Sequence, residues 1–221
     1  MPINAGAAPA IVSNNIATKT TASFTPASSS LLVACISLEG ARLISMSNSG
    51  TALTWTLRQE KTNVSGTEDG YASIFTAPAP SGASLTVTAT LNAAEDGILK
   101  VYSFTGVDLA NPVGQGGIGY NGTLLTYTPT LYTSSVPNSR AVGVATNYSG
   151  SSVTIGSGYT SHPYQIPSIV SGAAFYANAD TPSPAPVSVT MSATASRWAW
   201  AAIELLPPVA AGFTGWGFPV K

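Results

Sequence analysis

The chain has 221 residues, only 8% of them Asp, Glu, Lys or Arg, and a formal net charge of −1. Its basic residues (Lys19, Arg42, Arg58, Lys61, Lys100, Arg140, Arg197 and Lys221) are scattered, which leaves no cationic footprint for nucleic acid or for an anionic membrane surface. With so few charges the surface must be made of Ser, Thr, Asn and Gly, and a length near the upper range for one all-β domain allows a sizeable core without disulfide staples.

Taken in chain order, residues 1–19 are small and polar with Pro2 and Pro9, and read as an extension. Met1-Pro2-Ile3-Asn4-Ala5-Gly6 carries no basic segment leading into an apolar one. No apolar window approaches the length of a spanning helix, so synthesis in the cytoplasm without membrane insertion is expected. From residue 30 on, short runs rich in Val, Ile, Thr, Tyr and Phe recur between Gly, Pro, Ser and Asn clusters. They fall at 30–38, 43–47, 52–59, 70–77, 84–91, 97–105, 123–128, 140–147, 169–178, 186–192 and 197–206. This is the spacing of a sandwich or barrel. In the first run the single cysteine, Cys35, sits inside Leu31-Leu32-Val33-Ala34-Cys35-Ile36 and reads as a buried thiol. Between residues 84 and 91, Leu85, Val87 and Ala89 alternate with threonines, which predicts one core face and one wet face.

Glu68-Asp69 and Glu95-Asp96, each followed by glycine, read as solvated turns that need no calcium ion. Gly114-Gln115-Gly116-Gly117-Ile118-Gly119 has the letters of a dinucleotide-binding loop, but a turn and a strand follow it where that chemistry requires a helix. A glycine-rich loop or irregular edge strand is the expectation. Asn121-Gly122 suits a tight hairpin turn. His162, the only histidine, stands in Ser161-His162-Pro163-Tyr164 and reads as a loop residue. One histidine and sparse acids leave little for acid–base or metal chemistry, so no catalytic residue, cofactor or metal is assigned. Trp198 and Trp200 share a strand face with Ala202 and are assigned to the core. Tyr120, Tyr127, Tyr132, Tyr148, Tyr159 and Tyr164, in or near loops of the second half, are the expected contact surface. Residues 207–221 follow the last strand as a second extension, with Phe213, Trp216 and Phe218 among glycines. Aromatics so placed are the expected assembly interface.

Internal echoes relate the two halves. Ile74-Phe75-Thr76-Ala77 is matched by Ala174-Phe175-Tyr176-Ala177, the run from Leu85 to Thr88 by that from Val187 to Thr190, and the run from Leu31 to Ala34 faintly by that from Ala141 to Val144. The expected fold is therefore all-β: a two-sheet antiparallel sandwich of jelly-roll type over residues 20–206, with pseudo-repeated halves at about 20–110 and 120–206.

Three segments carry a resemblance: residues 22–34 (Ala22-Ser-Phe-Thr-Pro-Ala-Ser-Ser-Ser-Leu-Leu-Val-Ala34), Leu53-Thr-Trp-Thr56 and Ser103-Phe-Thr-Gly-Val-Asp108. In that order the chain resembles β-sandwich minor tail and virion structural proteins of actinobacterial tailed phages, and the ending Gly215-Trp-Gly-Phe-Pro-Val-Lys221 is similar to endings in that group. The resemblance implies a virion component at the tail tip or on a fibre, or a capsid decoration protein. Such a protein assembles as a homo-oligomer with other virion proteins and contacts host-envelope glycans. A free-standing lectin-like carbohydrate-binding module is the alternative. The resemblance carries over no catalytic residue.

Overall fold

The computed structural model describes residues 2–40, 42–62, 70–148, 152–166, 170–194 and 197–209. Among them all regular secondary structure is β-strand, and every pairing is antiparallel. The expected sandwich is present, built from more sheets than two.

The first half contributes β1 (Asn4–Ala5), β2 (Val12–Asn15), β3 (Thr18–Thr20), β4 (Ser30–Leu38), β5 (Ile44–Asn48), β6 (Thr56–Lys61), β7 (Tyr71–Ala79), β8 (Val87–Leu91) and β9 (Asp96–Thr105). They form a large sheet ordered β1-β9-β4-β7-β6, with β2 also on β9, and a small sheet β3-β8-β5. The second half contributes β10 (Val113–Asn121), β11 (Thr126–Tyr127), β12 (Thr130–Thr133), β13 (Arg140–Asn147), β14 (Thr154–Ile155), β15 (Tyr159–Ile166), β16 (Val170–Ala177), β17 (Pro186–Ser188), β18 (Met191–Ser192) and β19 (Trp198–Leu205). Its large sheet runs β10-β19-β13-β16-β15, and the pairs within β11-β18-β14 and β12-β17 make its small layer. The orders correspond strand for strand: β9, β4, β7 and β6 in the first half occupy the places of β19, β13, β16 and β15 in the second. Two of the echoes lie on equivalent strands, residues 74–77 and 174–177 on β7 and β16 and residues 31–34 and 141–144 on β4 and β13, while the echo of 85–88 in 187–190 falls at β8 and β17 of the small layers.

Side-chain alternation explains the stacking. On β4, Leu31, Val33 and Cys35 meet Val142, Val144, Ala174, Ala201 and Ile203 of the other large sheet in one core. Leu32, Ala34, Ile36 and Leu38 point the other way, onto Leu85, Val87, Ala89 and Leu91 of the small sheet. The second half mirrors this, with Phe175, Trp198, Trp200 and Ala202 packed on Leu131, Val187, Val189 and Met191. The result is four β layers with the large sheets in the middle. A sheet covered on both faces requires strands apolar on both faces. β4 and β19 are accordingly buried along their whole length. Each fully buried Leu, Ile or Val contributes about 1.5–3 kcal/mol.

A buried polar cluster pins the central layers together. Ser37 Oγ lies 2.5 Å from Thr146 Oγ1 and 2.8 Å from Tyr164 Oη, and Thr146 donates to the Tyr71 carbonyl at 2.8 Å. Polar groups enclosed this way are stable only because each finds a partner.

Two expectations are corrected. Residues 1–19 are not an extension: β1 and β2 pair with β9, β3 pairs with β8, and Ile3 and Lys19 are fully buried. Short polar strands at a sheet edge lack the hydrophobic alternation that would mark them in sequence. Nor does Asn121-Gly122 close a hairpin. Asn121 Oδ1 instead accepts the N–H groups of Thr123 and Leu124 (3.0 and 2.8 Å) in an Asx turn, and the chain crosses to the small layer, where β11 pairs with β18.

Candidate binding surfaces

Among the described residues, His162, Lys100 and Cys35 each have partners within the fold. His162 lies in edge strand β15, paired opposite Ala174, and not in a loop. Pro163 is tolerated there because an edge strand needs hydrogen bonds on one side only. His162 Nδ1 is 3.0 Å from Tyr102 Oη, and burial, then the nearby Lys100 charge, holds the imidazole below its ordinary pKa. Lys100 is buried, donates to the Pro9 carbonyl at 2.6 Å and lies 5.3 Å from the Tyr102 ring centroid. Burial pushes the Cys35 thiol far up, which keeps it protonated.

The Glu95-Asp96 pair is not a solvated turn. Both residues are buried, Glu95 pairs with Arg42, and Asp96 accepts from Asn15 Nδ2 at 2.6 Å. Lys19 Nζ donates to the carbonyls of Asn14 and Glu95 at 2.7 and 2.9 Å, while burial pushes its pKa down to about 8 against the pull of Asp96 and Glu95. Glu68 and Asp69 lie outside the described residues, among which no group of three or more His, Cys, Asp or Glu side chains is gathered as metal ligands would be.

The glycine-rich run is the irregular edge strand β10, with a register shift between Val113 and Gly116. Its glycines make room. A Cβ on Gly119 would stand 2.6 Å from the Trp200 indole, and one on Gly117 would collide with the Leu131 carbonyl. Beside the run, Glu204 is buried and accepts from Gln115 N, Ser135 N and Ser135 Oγ at 2.9, 2.8 and 2.6 Å. The run therefore fixes an edge strand to β19 and cradles no phosphate.

The six tyrosines do not form one surface. Tyr132 and Tyr164 are 6% and 8% exposed and belong to the cores, so they are struck from the contact surface. On β15 Tyr164 is turned inward between exposed Pro163 and Gln165, and on β12 a register shift lets the neighbours Leu131 and Tyr132 both face the core. Tyr127 and Tyr159 pack half-buried on the second-half core, with the Tyr159 hydroxyl donating to the Ser188 carbonyl at 2.8 Å. Tyr120 and Tyr148 are half-buried, and the Arg197 guanidinium sits 5.4 Å from the Tyr148 ring centroid. Trp198 and Trp200 are buried where the sequence places them. Phe213, Trp216 and Phe218 lie outside the described residues.

Two surfaces emerge that the sequence reading did not assemble. The outward faces of the small layers are rows of hydroxyl groups. Thr18, Thr90 and Ser45 stand abreast across β3-β8-β5, as do Thr20, Thr88 and Ser47. In the other small layer Thr126, Ser192 and Thr154 form the equivalent row. Thr20 and Thr88 hydroxyls are 2.9 Å apart, and those of Thr128 and Thr190 are 3.1 Å apart. No charged residue stands in these rows. The Thr-x-Thr alternation over residues 86–90 carried the signal for the first face, but register alone brings the strands abreast.

The second surface is a groove of about 700 Å³ at one end of the slab, walled by Pro2, Val136, Pro137, Leu206, Pro207 and Val209. Pro208, Asp108, Asn111, Asn138 and Asp180 complete its lining. Here the first residues of the chain, the connection between the halves, the β12–β13 and β16–β17 loops and the segment leaving β19 converge. The two carboxylates are partnered: Asp108 Oδ1 accepts from Ala110 N and Asn111 N at 2.9 and 3.2 Å, and Asp180 pairs with Arg140 at 3.0 Å. Nothing in the apolar walls carries out chemistry, but they offer burial to an incoming side chain.

The chain matches no protein-family model, no curated protein and no solved structure.

Proposed function

We propose that this protein is a structural component of a tailed-phage particle, a minor tail protein of the tail tip or a fibre, acting by assembly and by contact with the host envelope. The observation that carries the reading is the groove. An apolar, proline-walled depression lies at the root of a segment that goes on to bear Phe213, Trp216 and Phe218. Exposed apolar concavities and aromatic side chains are common anchors at protein–protein interfaces. The resemblance of about residues 20–206 to virion sandwiches supports the particle, and the four-layer body supplies the stiffness such a part needs. The test is to raise antibodies to the chain, purify particles by density gradient and label them. Gold at a fixed tail position is expected, gold on the capsid would select decoration instead, and absence of the chain from particles would reject the proposal.

A second reading, a carbohydrate-binding module, is favoured by the uncharged hydroxyl faces and by half-exposed Tyr120. It requires that the isolated chain bind neutral glycans on an array, and weak binding that appears only when many copies are displayed fits the particle reading.

A further inference from the structure

We propose that the end groove is the receptor for the aromatic segment of a second copy of this chain, so that two copies exchange residues 210–221 reciprocally. The proposal rests on the assembly reading above and names the partner.

The root of the segment is fixed at the groove. Leu206 N donates to the Pro112 carbonyl at 3.0 Å and Leu206 O accepts from Asp108 N at 2.9 Å, tying the end of β19 to the connection between the halves. Pro207 and Pro208 follow, with locked φ angles and no N–H to bend back on. Val209 is then 87% exposed. Trp216 lies seven residues beyond Val209, a reach of about 23–25 Å when extended at about 3.3–3.6 Å per residue. That is long enough to enter the same groove of a neighbour.

The chemistry of segment and receptor agrees. Proline and valine walls suit the flat faces of Trp and Phe rings, and Asn111 and Asn138 at the lining offer acceptors for an indole N–H. Lys221 is the single charged side chain in residues 210–221, and the groove carries the carboxylate of Asp108, held by backbone N–H groups, beside an Asp180 already paired with Arg140. Gly212, Gly215 and Gly217 let the segment follow a neighbour's contour. Donor and receptor stand side by side on one chain, and an exchange that is reciprocal about a twofold axis fills both grooves and leaves neither open to propagate.

The test uses full-length chains. One variant has its segment blanked (F213A/W216A/F218A) and the other has its groove filled (Val136→Arg), with circular dichroism to establish that both are folded. Sedimentation velocity should show wild-type dimers and at least tenfold weaker self-association of each variant. Mixing the two should restore a heterodimer, because one intact segment then meets one intact groove. If Val136→Arg fails to fold, Pro137→Glu replaces it. A wild-type chain that is monomeric while its Trp216 fluorescence is shielded would mean docking in cis and would overturn the exchange, as would dimers indifferent to the segment variant. A monomeric chain still incorporated into particles would overturn the exchange alone and leave the assembly reading standing.

Discussion

At the scale of single residues, the buried titratable groups of this chain hold the fold and set its response to acid. Burial raises the Glu204 carboxyl, and hydrogen bonds from Ser135, Gln115 and Ser139 together overcome it, so the net shift is downward. A carboxyl with a depressed folded pKa contributes stability above its unfolded value and loses it as the pH falls through the folded one. Glu204→Gln should therefore flatten the acid limb below about pH 4.3. It should also cost about 1–3 kcal/mol at neutral pH by placing an amide donor where one carboxylate oxygen now accepts, facing either Ser135 N or the pair Gln115 N and Ser135 Oγ. His162 has the opposite charge and the same direction of effect. Its folded pKa is lowered, so the unfolded chain binds the proton first and stability declines as the pH drops below about 6.5. His162→Gln should remove that decline, measured by urea midpoints across pH 5–8. None of this was legible beforehand. The sequence shows one histidine and an isolated Glu204, but the partners of both are brought by strands far away in the chain.

At the scale of elements, edge strand β10 shows how a motif can keep its letters and change its meaning. Trp200 lies against Gly119 and Gly117, and any side chain on that face would displace it. Gly119→Ala should destabilise the protein by about 1–3 kcal/mol through overpacking, and Trp200→Ala by about 3–5 kcal/mol through the cavity left behind. Combined, the two should cost less than their sum, since the alanine then gains the space the indole vacates. Chemical denaturation of the single and double variants measures this. Strands β4, β7, β9, β13, β16 and β19 were visible in sequence because Val, Ile, Phe and Ala runs between Gly and Pro mark a sheet buried on both faces. β1, β2, β3 and β15 were not, because edge strands built from polar residues or a proline have nothing to alternate, and glycine-rich β10 was marked only as a loop or an irregular edge strand. The contact tyrosines failed for a related reason: loop-like surroundings did not show that Tyr132 and Tyr164 point inward on strands.

At the scale of the whole molecule, the duplication visible as echoes between halves becomes two sandwiches joined through their large sheets. Because the shared core runs through Val33, Cys35, Val144 and Ala201 without a break, the two halves should unfold as one unit. Calorimetry should give a single transition with matching calorimetric and van't Hoff enthalpies. Thr146→Val, which strips the hydroxyl partner from Ser37, should lower stability by about 1–3 kcal/mol without splitting that transition. What the sequence withheld was the convergence of five separate segments on the end groove, since no pattern within any one of them marks it. The most direct measurement is an image of the assembled particle at a resolution that separates β layers. The account predicts four-layered slabs meeting at their groove ends, with the hydroxyl rows facing solvent. Slabs stacked through those hydroxyl rows, with the grooves open to water, would contradict it.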